Sequence, residues 1–489
     1  MRKLLLTGLC IIAVINLYAQ NVKWTSSKEN QYWQQKNVKL QSKTNAIPDV
    51  EIGNMTGMPT FKAWGTCLNE LGWDALNMLP SEKQEEIMAN IYSPAGDMKF
   101  TMARFTMNAN DYSRDWYSCD EVPGDFQLKY FNIDRDKTTL IPFIKFAQKY
   151  NPDMTFWASP WSPPSWMKVN QYYSVRSDKE HNQMLPLSDV VLFEDSQEKN
   201  DKVFPQRLAV NDYFIQDPRY LKSYANYFCK FISAYKNEGI PISMIMYQNE
   251  AYSYTNYPGC AWTPEGTIRF NVEYLAPTLK KQHPEIELYM GTFNTNRYEV
   301  VDEILSDLRM SNTIKGVGFQ WEGRDILPRI RAKYPQYKYV QTESECGWGS
   351  FDWEAAEHTF HIMNDYLGNG CEEYTFWNII LADSGASGWG WKQNALIRVD
   401  SQKQTATYTP EYYAVKHYAN FVTPGSEVVA FKKSGEDKKP VIVFRNPKGE
   451  HIIIAGNFQG QPQQLRVKLG KKYLEVTIDA HSLNTFISK

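Results

Sequence analysis

Between Met98 and Leu381 the chain alternates short apolar runs with longer helical stretches, and this alternation limits the fold more than any other feature. The strand-like runs are Phe100–Ala103, Thr155–Ala158, Ser243–Tyr247, Leu288–Met290, Val317–Phe319, Lys338–Gln341 and Tyr374–Phe376. Strands spaced by helix-length segments pair in parallel, because a parallel pair needs a crossover of a dozen or more residues. One crossover is legible residue by residue. Leu221, Tyr224, Ala225, Phe228 and Ile232 recur at helical spacing between Tyr220 and Lys236, and Gly239 follows as a stop signal.

A chain of 489 residues accommodates one barrel of about 250 to over 400 residues and a single accessory unit. The texture changes after about Tyr412. Pro440–Phe444, a turn at Asn446–Gly449 and His451–Ala455 read as antiparallel strands. The polar segment Val22–Pro48, with Trp24 and Trp33, is expected to add strands to the same unit. The expected division is a leader at 1–19, N-terminal strands at 20–60, a catalytic barrel at 61–410 and a C-terminal β-sandwich at 411–489. The charged, weakly periodic stretch 170–218 reads as a long loop of the kind that serves as a lid or stays unordered.

Met1-Arg2-Lys3, the apolar stretch Leu4–Leu17 and Tyr18-Ala19-Gln20 form a basic, apolar and small-residue series typical of a signal peptide. Export is therefore expected, to a periplasmic, cell-surface or extracellular site. Cys10 follows Leu9 rather than a small residue, which argues against lipidation. No later stretch has the roughly 20 apolar residues of a membrane span. A net charge of −2 without a basic stripe excludes nucleic acid as the expected partner. The remaining six cysteines are widely spaced with no C-x-x-C pair, so neither a zinc knuckle nor a disulfide scaffold is indicated. Oligomeric state is not encoded in any pattern of this chain.

Two of the predicted strands end in a carboxylate. Met244-Ile245-Met246-Tyr247-Gln248 runs into Asn249-Glu250, and Tyr337–Thr342 runs into Glu343. In a (β/α)8 barrel all strands point their C-terminal ends at one face, so residues far apart in sequence converge there. A pair of carboxyl groups about 5–5.5 Å apart suits retaining glycoside hydrolysis, in which one attacks the sugar and the other protonates the leaving oxygen.

Around this pair the chain is similar to glycoside hydrolase family 30, which contains lysosomal glucosylceramidase and β-1,6-glucanases. The resemblance rests on an ordered set: Ala103-Arg104-Phe105 with Asp111-Tyr112-Ser113, Ala158–Lys168, Gln248-Asn249-Glu250, Tyr257-Pro258, Trp262–Glu265, Thr342-Glu343 and Phe376-Trp377-Asn378. It spans nearly all of the chain after the leader. It implies a (β/α)8 barrel joined to a β-sandwich built from both chain termini, with Glu250 as acid/base and Glu343 as nucleophile. It also implies that Arg104 holds Glu343 ionised, that Asn249 bonds the sugar 2-hydroxyl, that Asp111 and Trp161 hold outer hydroxyls, and that Trp377 faces the sugar ring. Tyr257 stands between sugar contact and loop packing. Where the glucosylceramidase branch has a His followed two residues later by a Tyr, this chain reads Gln320-Trp321-Glu322, so contacts around the nucleophile are expected to differ. Glu345 is the alternative nucleophile; Glu343 is preferred because it directly ends its strand.

The expected activity is cleavage of a polysaccharide or oligosaccharide, with β-1,6-glucan as leading substrate. β-Glucosylceramide, β-xyloside and β-fucoside are alternatives, and no cofactor or metal is needed. The absence of H-E-x-x-H, G-x-S-x-G and a Gly-rich phosphate loop argues against metalloprotease, esterase and nucleotide chemistry. Glu357-His358 and His361 read as a solvated helix face. Rival readings are a barrel that binds carbohydrate without turning it over, and a structural surface protein.

Overall fold

Eight parallel strands close into a barrel: β4 (Ala63–Leu68), β5 (Met102–Met107), β6 (Thr155–Pro160), β7 (Ile242–Met246), β8 (Glu287–Phe293), β9 (Gly316–Gln320), β10 (Lys338–Glu343) and β11 (Glu373–Asn378). β11 pairs back onto β4, which completes the ring, and β12 (Ile380–Ala382), β13 (Ile397–Asp400) and β14 (Thr405–Tyr408) follow as a small three-stranded sheet. The architecture comes from a computed structural model that describes residues 21–176, 211–433 and 439–488. The leader expected at 1–19 and most of the long 170–218 segment lie outside the described residues.

The strands are short and buried, as a sheet covered on both faces requires. Inside the barrel, Ala63, Met102, Trp157, Met244, Met246, Tyr289 and Val340 form their own apolar cluster. Outside, helices pack their apolar stripes on the sheet. The helix Pro218–Asn237 is capped by Asp217, whose carboxylate accepts from the Arg219 amide, and it buries Leu221, Tyr224, Phe228 and Ile232. That is the stripe read from the sequence. β4 was not among the strands legible beforehand. Its residues, Ala-Trp-Gly-Thr-Cys-Leu, carry no β-branched or aromatic run, and burial inside the ring makes it a strand.

Both chain ends supply the second unit. β1 (Asn21–Lys28), β2 (Gln31–Lys39) and β3 (Val50–Met55) join β15 (Glu427–Lys433), β16 (Val441–Arg445), β17 (His451–Asn457), β18 (Gln463–Leu469), β19 (Lys472–Ile478) and β20 (Ser482–Ser488) in the order β19-β18-β3-β15-β16-β17-β20-β1-β2. β15 binds the two layers together: Glu427 and Val428 pair with β16, and Val429 to Lys433 pair with β3. Val22, Val443, Ile453 and Phe486 from one layer meet Val50, Leu465, Val467 and Leu474 from the other in a single core.

The sandwich strands after the barrel begin only at Glu427, later than the boundary at 411 expected from the sequence. Residues 410–419 form a helix instead, capped by the Thr409 hydroxyl, with Tyr412, Ala414, Val415 and Tyr418 buried. It packs on the helix Trp353–Gly368, so the short apolar pattern there is a helix covering the barrel. The same helix joins the two units. The His417 ring, wholly buried, bonds Ser27 Oγ of β1 and Thr485 Oγ1 of β20, each at 2.9 Å.

Candidate active site

The chain leaves β7 through Tyr247-Gln248 and turns at Asn249, whose amide donates to the Pro160 carbonyl at the end of β6 (2.7 Å). Glu250 follows with φ of 49°, the left-handed region that costs a non-glycine residue on the order of 1–3 kcal/mol. Its amide donates to Thr292 Oγ1 just inside the end of β8. Glu343 is the last residue of β10, and the pairing with β9 slips between Gln341 and Glu343 so that Glu343 lies opposite Gln320. Both carboxylates line one cavity of about 860 Å³ at the C-terminal face of the barrel.

Three donors converge on Glu250: Ser253 Oγ (2.8 Å) and Tyr257 Oη (3.0 Å) on Oε2, and Gln320 Nε2 (2.9 Å) on Oε1. Burial, reinforced by the charge of Glu343, nevertheless pushes its carboxyl up to about 7. Glu343 receives Arg104 Nη1 on Oε2 (2.8 Å) and the Trp321 indole N–H on Oε1 (3.1 Å). Burial raises its proton affinity as well, but the Arg104 charge and both donors oppose the rise. Like carboxylates in one cavity thus differ in proton demand, the arrangement expected of an acid paired with an anionic nucleophile.

Asn249 sits between them. Its Oδ1 accepts from Arg104 Nη2 (2.7 Å), Thr292 Oγ1 (3.0 Å) and Gln320 Nε2 (3.3 Å), which leaves the amide nitrogen as the end that can donate into the cavity. Asp111 lines the same cavity, and its Oδ1 has no hydrogen-bond partner among the described residues. Burial first, then the charges of Glu343 and Glu250, raise its carboxyl well above the usual range.

Of the residues singled out from the sequence, Glu250, Glu343, Asn249, Asp111, Trp161 and Tyr257 line the cavity. Arg104, Gln320 and Trp377 lie behind them. Arg104 is fully buried, with its guanidinium 4.4 Å from the Trp161 ring and 4.7 Å from Trp157. Trp377, expected against a sugar ring, is also fully buried and stacks behind Trp161 at 5.4 Å, with its indole N–H on Gln393 Oε1. Trp161, itself buried, is the member of that stack that reaches the cavity lining. Tyr257, expected in sugar contact or loop packing, packs on Trp391 at 4.9 Å and bonds Glu250, a partner not foreseen for it.

Glu345 does not join the carboxylate pair. It is held by His358 Nε2 at 2.8 Å and by Arg324 at 3.5 Å in the outer part of the cavity. His358, read beforehand as solvated, is indeed exposed and also lines the cavity. Sequence reasoning also missed Trp321, Ser253 and Thr292. Trp321 stood in the string Gln320-Trp321-Glu322, but nothing in that string shows where an indole nitrogen points. Lys168 ties together two loops. Its buried amine donates to the carbonyls of Tyr173 (2.8 Å), Ser174 (3.1 Å) and Gly259 (2.6 Å), fastening the loop after β6 to the loop that carries Tyr257. The six cysteines of the described residues are free and buried, and among those residues no cluster of His, Cys, Asp and Glu is arranged to hold a metal.

A (β/α)8 barrel with two carboxylates at the ends of different strands, one with its proton affinity raised and one ion-paired, defines a glycosidase-type site. The model of the glycosyl hydrolase family 30 TIM-barrel domain matches residues 61–180 and 214–422, and the chain belongs to that family of glycoside hydrolases. Lysosomal acid glucosylceramidase of Mus musculus is 24% identical over 444 residues, covering 84% of this chain and 78% of the relative. Endo-1,6-beta-D-glucanase neg1 of Aspergillus fumigatus is 22% identical over 449 residues, covering 85% and 82%. Among solved structures, SrfJ from Salmonella typhimurium superposes with a TM-score of 0.81 at 20% identity, covering 96% of this chain and 99% of that one. The endo-beta1,6-glucanase BT3312 gives 0.75 at 20% identity, covering 95% and 99%.

Proposed function

We propose that the chain is an exported retaining β-glycosidase that cleaves β-1,6-linked glucan by double displacement. The observation that carries this reading is the opposed environment of Glu250 and Glu343 in one cavity. Glu343, whose charged form Arg104 and Trp321 favour against burial, attacks the anomeric carbon while Glu250 gives its proton to the departing oxygen. Once Glu343 is esterified its charge is gone. One of the two causes that raised the proton affinity of Glu250 is then removed, and Glu250 turns into the base that activates water for the second displacement. Asn249 and Asp111 offer a donor and an unpartnered acceptor for ring hydroxyls, and Trp161 lines the wall beside them.

The β-1,6-glucan assignment draws on relatives named as endo-1,6-β-glucanases and on the leader-like N-terminus. A glucosylceramide, β-xyloside or β-fucoside substrate is the alternative. The test is product analysis by mass spectrometry on β-linked glucans and aryl β-glycosides, with wild type beside Glu250→Gln and Glu343→Gln. Release of short β-1,6-linked products, lost by orders of magnitude in both variants, supports the proposal. Binding without cleavage by the unmodified chain sinks the catalytic reading in favour of a carbohydrate-binding barrel.

A further inference from the structure

The cavity does not end at the catalytic pair. Its inner end is closed by buried side chains, with Asp111 at 6% and Gln393 at 5% exposure, and its outer wall is open and formed by the segment that follows β10. Trp348 stands in that wall with 58% of its surface exposed. A single exposed aromatic needs no explanation on an ordinary surface, but on the wall of this cavity it presents a large, rigid apolar face to whatever the cavity holds.

The loop that presents Trp348 is firmly built. Gly347 and Gly349 flank it with φ of +58° and +81°, values that side-chain-bearing residues adopt only with strain. A Cβ on Gly349 would lie 2.6 Å from the Ser384 carbonyl oxygen. The Asn394 amide donates to the Cys346 carbonyl at 2.6 Å, and Asn394 Oδ1 accepts from the Phe351 amide at 3.2 Å. The backbone on both sides of the tryptophan is thereby pinned to the segment after β11 while the indole stays outward.

We infer that Trp348 is the platform for the sugar ring on the leaving-group side of the scissile bond, an assignment that rests on the glycosidase reading above. The closed inner end, with the unpartnered Asp111 Oδ1 and the Asn249 amide, holds the sugar whose anomeric carbon meets Glu343. Whatever is attached through the glycosidic oxygen must then leave past Glu250 toward the open wall. A pyranose ring has an apolar C–H face that lies flat on an indole. Glu354, which also lines the cavity, offers a carboxylate acceptor to its hydroxyl edge. The ligand class is an uncharged hexopyranose, held by stacking rather than by a charge.

The experiment compares two substrates on the full-length chain: β-D-glucosyl fluoride, whose leaving group is one atom, and a β-1,6-linked glucotriose, whose leaving group is a sugar. In Trp348→Ala the ratio of kcat/KM for the trisaccharide to that for the fluoride is expected to fall about tenfold, and in Trp348→Phe by much less. An unchanged ratio overturns the proposal, and so does an equal loss on both substrates, which would make the loop a structural support of the whole site. Wild-type hydrolysis of neither substrate removes the glucosidase reading itself, a result distinct from a changed or unchanged ratio in the variants.

Discussion

Arg104 Nη1 lies 2.8 Å from Oε2 of Glu343, and both side chains are almost wholly removed from solvent. The guanidinium is the largest opponent of the burial that raises Glu343's proton affinity, and its other nitrogen reaches Asn249. One planar cation therefore sets the charge of one group and the orientation of another. A lysine ammonium cannot present two donors in that fixed fork.

Arg104→Lys is expected to lower kcat/KM on the order of 10²- to 10³-fold, the scale seen when a preorganised donor is lost. The acid limb of the pH profile should move upward, because Glu343 then needs a higher pH to ionise. Steady-state kinetics across the acid range checks this. Full activity with an unmoved limb would show that Arg104 only fills space.

The alkaline limb belongs to Glu250. Its carboxyl is held up to about 7 by burial and by the Glu343 charge, so kcat/KM should decline as pH rises through that region and the acid loses its proton. In Glu250→Ala an aryl β-glycoside with a good leaving group should still form the glycosyl-enzyme, since little protonation is needed, while its breakdown slows. A pre-steady-state burst, and rescue of turnover by azide, are the expected signatures. Absence of both would assign the acid/base role elsewhere.

Trp321→Phe keeps the apolar surface and deletes the 3.1 Å hydrogen bond to Glu343 Oε1. A fall of about tenfold in kcat with little change in KM is expected, because that donor steadies the attacking carboxylate more than it holds substrate. An effect confined to KM would place Trp321 in binding alone.

Glu411 offers a stability test away from the chemistry. Burial raises its carboxyl from the usual 4.5 to about 8, and the Thr359 hydroxyl bonds Oε1 at 3.2 Å. Between those two pH values the unfolded chain releases the proton and the folded chain keeps it, so stability falls as pH rises. The contribution is full below about 4.5 and lost through about 8. Glu411→Gln removes that slope. Its Tm relative to wild type should therefore increase steadily from acid to mildly alkaline pH in thermal scans, whereas a constant offset would contradict the raised value.

The strands and helices that bury one clear stripe could be read from residue order alone. The segment Tyr220–Lys236 needed only its apolar spacing, and Thr155–Ala158 only its run, because periodicity is a local property of the chain. The carboxylates at the ends of β7 and β10 were legible for the same reason: a polar residue that breaks an apolar run is visible in one dimension. β4 and the helix at 410–419 were not, since their residues have weak local preference and take their form from the ring and the helix that bury them. What the tertiary structure decided was direction and distance. It set Trp377 behind Trp161, turned Glu345 toward His358, and brought Trp321 and Arg104 onto one carboxylate from places far apart in the chain. Closure of the barrel fixes these meetings, and a linear sequence carries the side chains without the geometry in which they face one another.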